Sequence, residues 1–395
     1  MNFVFISPTF PSTYWQFCDR LKKHGVNVLG IGEDAYDSLD NRLKSALTEY
    51  YKVNSMENYE EMTRAMGYFT FRYGHIDWLE SNNEYWLDSD ARLRTDFNIV
   101  TGPKKDIIEY YQDKSLMKKY YKKADVISAR YLLMDDDPKK GIRFAKKVGY
   151  PLIYKPVKGV GASDTHKVHD EKELLEYYAK EKKVPYMLEE FVTGDLISFD
   201  GITNQDGDII FCTNHEFPQQ IMDVVNEHDS VSYYNLRKVP EDLFEVGSRV
   251  VKAFGVRGRF FHNEYFRLTK DKEGLGKVGD LCGLEVNQRP PGGYTPDMMN
   301  FSDDIDVYEI YARAVTENLK LTPNTEKKYS TFYVGRRDGA PYKHSSEEIL
   351  AKYKNQIVWH DRMPDILSSA MGNEFFMCRF EDLEEGKRFT AFAME

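Results

Sequence analysis

The chain has 395 residues, 41% of them hydrophobic, which is enough to bury two or three separate cores. Its formal net charge of −10 argues against a general nucleic-acid binder, because phosphate backbones select basic faces. No stretch approaches the roughly 20 uncharged apolar residues of a membrane-spanning helix, and the first residues, Met1 to Pro8, read as a strand, so a cytoplasmic protein without a membrane partner is expected.

Residues 1 to about 100 alternate strand and helix. Phe3 to Ile6 is a short apolar run, Tyr14 to His24 has helical spacing, and Val26 to Ile31 is a second apolar run after Gly25. That order predicts a parallel, doubly wound beginning. The turn after the first strand, Ser7-Pro8-Thr9-Phe10-Pro11-Ser12, lacks the glycines that let a backbone approach a pyrophosphate, which argues against a dinucleotide site there. Asp77 to Trp86 concentrates acids and amides among aromatics. Glu80, Asn82 and Glu84 are candidates for the mouth of a cleft, with helix capping by Ser81 or Asn82 as the equal alternative.

Gly102-Pro103 breaks the chain, and 104–123 reads as one basic connector helix. From Ser128 to Leu196 the pattern is strand, helix, strand, glycine-bearing loop, strand, helix, strand. Strands dominate from Asp200 to Val286, apart from an amphipathic helix at about Pro240 to Phe254. The tail after Leu321 ends in strand-like pieces near Phe375 to Phe380 and Arg388 to Phe392. The four cysteines, Cys18, Cys212, Cys282 and Cys378, stand singly and signal neither a zinc site nor a disulfide framework.

Three constellations carry chemistry. In Tyr150-Pro-Leu-Ile-Tyr-Lys-Pro-Val-Lys-Gly-Val-Gly-Ala-Ser-Asp164 a strand ends on Lys155, and the turn holding Gly159 and Gly161 can fold its amides over an anion. A plain turn is the alternative. In Phe260 to Arg267 and Gly283 to Arg289, strand alternation puts Glu285, Asn287 and Arg289 on one face, with Glu264 available from a neighbouring strand. Two carboxylates and an amide oxygen are hard ligands for Mg²⁺, and Arg289 can meet charge on a transferring group; a half-exposed strand with a charge network is the alternative. Met187 to Asp195 is a strand running into a turn at Thr193-Gly194, about 30 residues after the lysine-glycine loop.

These constellations, in this order, resemble the ATP-grasp superfamily over about residues 1 to 320. The resemblance implies an α/β and α+β chain: a Rossmann-like preATP-grasp domain followed by an ATP-grasp fold of two α+β subdomains. The expected division is 1–103, a linker helix over 104–123, a lid subdomain over 124–195, a metal-binding subdomain over 196–322 and an extension over 323–395. ATP and Mg²⁺ are implied, with Mn²⁺ as the alternative ion. Lys114 and Lys155 match the phosphate-binding lysines, and Gly159, Gly161, Ala162 and Ser163 the mobile loop. Glu189, Glu190, Phe191 and Val192 match the adenine hinge, with the register of the acidic position open between the two glutamates. Glu264, Glu285 and Asn287 match the metal ligands, and Arg289, with Lys155, the catalytic positions.

Asp195, followed by Leu196, departs from the usual ribose-binding pattern, and Ala162 stands where a serine is common. His215 and His262 are read as structural, with a ribose or substrate contact as the alternative. The implied activity is an ATP-dependent carboxylate-amine ligase acting on small molecules through an acyl phosphate, with a homodimer as the implied assembly. The alternatives are carbamoyl-phosphate-synthase-like phosphorylation of bicarbonate or carbamate, and a nucleotide-binding subunit without catalysis.

Overall fold

A computed structural model of the chain describes residues 1–159, 164–218 and 229–395. Its strands form three sheets. In the first, β1 (Asn2–Ile6), β2 (Asn27–Gly32), β3 (Glu49–Lys52) and β4 (Trp78–Glu80) lie parallel in the order β3-β2-β1-β4. The buried run Phe3 to Ile6 explains why β1 is central, since both faces of a parallel strand are covered. The parallel beginning expected from the alternation is therefore present.

The second sheet is antiparallel, β5 (Tyr131–Leu133), β6 (Leu152–Pro156), β7 (His166–Val168) and β8 (Tyr186–Glu190) in the order β5-β8-β6-β7. The third has eight strands. β9 (Gly194–Thr203), β10 (Ile209–Phe217), β11 (Val231–Tyr234), β12 (Phe260–Leu268) and β13 (Leu281–Asn287) are continued by β14 (Ser330–Arg336), β15 (Ile357–Arg362) and β16 (Glu374–Phe380). Their order is β13-β12-β9-β10-β11-β14-β16-β15, so strands of the tail extend the sheet that carries Glu264 and Glu285.

The first and third sheets share one core. Phe17, on the helix Trp15–Lys23, meets Tyr308 edge-on with ring centres 4.7 Å apart and Phe260 at 5.8 Å, beside Phe3, Phe5 and Ile202. Interlocked aromatics of this kind pack the two sheets as one core.

Two local expectations are corrected. The 104–123 segment is two helices, Glu109–Gln112 and Lys114–Lys123, because Asp113 is extended and its side chain caps the second by accepting from the amides of Ser115 and Leu116. Arg388 to Phe392 is not a strand: it lies inside the helix Leu383–Met394, capped by Asp382, with Phe389 and Ala393 buried one turn apart.

Candidate functional site

β12 and β13 pair antiparallel with Glu264 opposite Glu285 and His262 opposite Asn287. Opposed residues point to the same side of a sheet, and positions two apart return to it, so all four side chains share one face. The amide nitrogen of Asn287 donates to the His262 carbonyl at 3.3 Å, which leaves its oxygen as the free acceptor of that side chain among the described residues. On the same face, opposite His262, lies Asp200 of β9, fully buried between His262 and His215, whose Nδ1 is 2.7 Å away. Burial alone would raise the Asp200 carboxyl, but the two imidazoles hold it well below the ordinary carboxylate range. Burial works against charge on His262, yet Asp200 and then Glu264 raise it to about 9.

The opposite wall comes from the second sheet and the Lys114–Lys123 helix. Lys155 ends β6 and meets Glu189 of β8 at 2.5 Å, while Lys118 holds the other oxygen of the same carboxylate. All three are buried. Burial opposes the Glu189 charge, and the two lysines overcome it and hold the carboxyl at about 2. Burial, with Lys118 and Lys114 nearby, lowers Lys155. Glu190 is committed to Arg130 at 2.7 Å and Lys272 at 3.5 Å. Both glutamate side chains are thus held by cations.

Lys114 ties the two walls together. Its ammonium donates to the Gly159 carbonyl at 2.8 Å and lies 3.0 Å from Glu285. Burial disfavours its charge, but Glu285, Glu84 and Glu264 more than offset that and raise its pKa. On the far side Arg289 donates from Nε to Glu84 at 3.2 Å and from Nη1 to the Pro290 carbonyl at 2.8 Å. Among the described residues its Nη2 has no protein acceptor.

These groups line one cavity of about 450 Å³. Lys114, Lys155, Glu189, Glu190, Phe191 and Val192 lie on one wall, with Glu264, Glu285, Asn287 and Arg289 on the other. Gly159 reaches it through Lys114. Gly161, Ala162 and Ser163 lie outside the described residues. Asp195 is exposed at the start of β9 and is not part of the lining. Of the Asp77–Trp86 candidates, Glu84 reaches the site. Glu80 is buried against Arg94 at 3.0 Å and Arg259 at 2.9 Å, and Asn82 sits at a positive φ of 54° with its carbonyl taken by Tyr14. Lys118 escaped sequence reasoning because it is one lysine in a lysine-rich helix.

The donor set fits a hard divalent cation. Among the described residues no three carboxylate, histidine or cysteine side chains gather as a closed cage. Two carboxylates with one amide oxygen leave positions for phosphate oxygens, the arrangement Mg²⁺ accepts.

A family model for the ATP-grasp domain matches residues 135–292. The carbamoyl phosphate synthase large chain of Clostridium botulinum is 27% identical over 157 residues, 38% of this chain and 14% of that one. The same protein of Clostridium beijerinckii is 25% identical over 158 residues, again 14% of its length. The chain thus spans a small part of the curated relatives it matches. Among solved structures, an L-amino acid ligase from Bacillus licheniformis superposes with a TM-score of 0.72 at 15% identity, covering 99% of this chain and 96% of that one. The biotin carboxylase domain of a 2-oxoglutarate carboxylase from Hydrogenobacter thermophilus, in complex with MgADP and bicarbonate, gives 0.70 at 17% identity over 97% and 87%. The fold of these structures extends over the whole chain.

Proposed function

We propose that this chain, which carries an ATP-grasp domain, is an ATP-dependent ligase that converts a small carboxylate to an acyl phosphate and joins it to an amine, releasing ADP and phosphate. The observation that carries the reading is the position of Lys114, donating at once to the carbonyl of Gly159 and to Glu285, so that lysines and oxygen ligands face each other across one cavity. A phosphate chain laid between them meets cations on one side and the carboxylate face on the other.

Glu264, Glu285 and Asn287 would hold Mg²⁺, which supplies neutralisation of phosphate charge. Lys155, freed from Glu189 in part by an incoming phosphate, and Lys114 orient the terminal phosphoryl group. Arg289 directs its Nη2, which has no acceptor among the described residues, at the carboxylate and then at the acyl phosphate as the amine attacks. The carboxylate oxygen attacks the terminal phosphorus, ADP leaves, the amine displaces phosphate, and the carboxylate oxygen departs with it. No protein nucleophile is required; positioning and charge do the work.

With the carboxylate labelled in heavy oxygen, one labelled oxygen should appear in inorganic phosphate with an equal amount of ADP. Label in AMP would refute the route. The similarity to carbamoyl phosphate synthase large chains favours a second reading, phosphorylation of bicarbonate. ADP release that requires bicarbonate, with no labelled carboxylate consumed, would select it.

A further inference from the structure

Beyond Arg289 the cavity continues into a region of different character. The chain leaves β13 through Pro290 to Gly293, and Pro291, Gly292, Gly293 and Thr295 line the cavity there. Facing them are Phe217 and Tyr233 from β10 and β11, stacked with ring centres 5.5 Å apart, and Leu367, Ala370 and Met371 from the helix Asp365–Met371. The last three are spaced i, i+3, i+4, so they form one stripe of that helix. Leu367 and Met371 are half-buried and Ala370 is exposed, although each lines the cavity.

The hydroxyls in this wall are already satisfied. Tyr233 and Thr295 bond to each other at 3.0 Å, and Thr295 also donates to the Gly292 carbonyl at 2.8 Å. Among the described residues, those that line this part of the cavity, Phe217, Tyr233, Thr295, Leu367, Ala370 and Met371, carry no charge. A polar substituent placed here would leave water without finding a partner, at a cost an apolar one escapes.

The helix that supplies the stripe is pinned. Tyr333 donates to the Met371 carbonyl at 2.7 Å and Arg337 to the Ser369 carbonyl at 2.8 Å, satisfying its carboxyl end. Gly293 has φ +61°, a conformation glycine adopts without strain, and the Met371 methyl packs where a Cβ would stand.

We infer that the carboxylate substrate carries an aliphatic or aromatic side chain, seated between the Leu367–Ala370–Met371 stripe and Tyr233, with its carboxylate at Arg289. This rests on the ligase reading above and adds to it the class of substrate. The tail of the chain then sets specificity while the strands before it carry the chemistry.

The test is ADP release with saturating Mg-ATP and hydroxylamine as the common amine, for size-matched pairs: leucine against asparagine, methionine against glutamine. The apolar member should have kcat/KM higher by about tenfold or more. Ala370→Asp, at an exposed helix position and expected to match the parent in thermal unfolding, should cut kcat/KM for leucine by about tenfold with KM for ATP unchanged. Equal use of asparagine and leucine, or an Ala370→Asp variant indistinguishable from the parent on leucine, overturns the inference and leaves the acyl-phosphate route standing. If no carboxylate of either kind supports ADP release, the ligase reading falls and the inference falls with it.

Discussion

Arg289, two residues past the end of β13, is held at 3.2 Å by Glu84, a residue 205 positions earlier in the chain. Burial raises the Glu84 pKa, opposed first by Arg289, and the guanidinium is aimed by a partner on the short 3-10 helix Glu84–Trp86 that follows β4. Glu84→Gln should keep the fold but let Arg289 wander, and a misplacement of about 1 Å at a positioning group can cost about a hundredfold in rate. We expect a large fall in kcat/KM for the carboxylate with ATP affinity preserved, read from initial rates and from nucleotide titration.

Glu285→Gln and Asn287→Ala are expected to abolish turnover with little change in unfolding temperature without nucleotide. Both residues sit on a preformed sheet face whose hydrogen bonding is carried by backbone. A variant that unfolds early yet remains active when cooled would make the strand structural and the metal site wrong.

The buried Lys118–Glu189–Lys155 group gives a comparison between two substitutions. Lys118→Met leaves one lysine to balance the carboxylate. Glu189→Gln leaves two buried ammonium groups without a counter-charge, and removing one partner from a buried pair costs about 3–5 kcal/mol. Denaturant unfolding should therefore show the glutamate substitution to be the more damaging of the two. The reverse order would mean that the lysines are better solvated than their burial implies.

Asp297, on the helix Thr295–Asp303, accepts from Gln16 and Tyr308 at 3.0 Å each, and burial pushes its carboxyl up from 3.8 to about 6. Between these values the folded chain holds a proton that the unfolded chain has lost, so this group makes stability fall as pH rises from about 4 to about 6. The full shift corresponds to about 3 kcal/mol. Asp297→Asn should remove that slope from unfolding free energies measured across the interval, and an unchanged slope would count against the assignment.

How far the sequence carries depends on the range of each interaction. The face holding Glu264, Glu285 and Asn287 follows from strand alternation, a local rule, and the parallel opening follows from the spacing of apolar runs. The partner of Glu189 does not. Lys118 and Lys155 reach that carboxylate from 71 and 34 positions away; the strand and glycine turn mark Lys155 as an anion-binding lysine but not as a partner of Glu189, and nothing around Lys118 separates it from the solvated lysines of its helix. The break at Asp113 was hidden by the even run of helix-forming residues around it, although its side chain is the cap that makes the second helix start. The Leu367–Ala370–Met371 stripe has no motif at all, and acquires meaning when the sheet order lays it beside the loop after Arg289.

That sheet order separates two kinds of change. β12 and β13 lie at one end of the eight strands, and β14 to β16 at the other. A mutation in the helix Asp365–Met371 can retune which molecule is accepted without disturbing a hydrogen bond of the β12–β13 ladder. Truncation before Ser330 is another matter: it would strip β14 from β11 and leave Val231 to Tyr234 as a raw, sticky margin open to pairing with other chains. The tail can thus change at its cavity-facing helix while its buried strands and its presence are constrained.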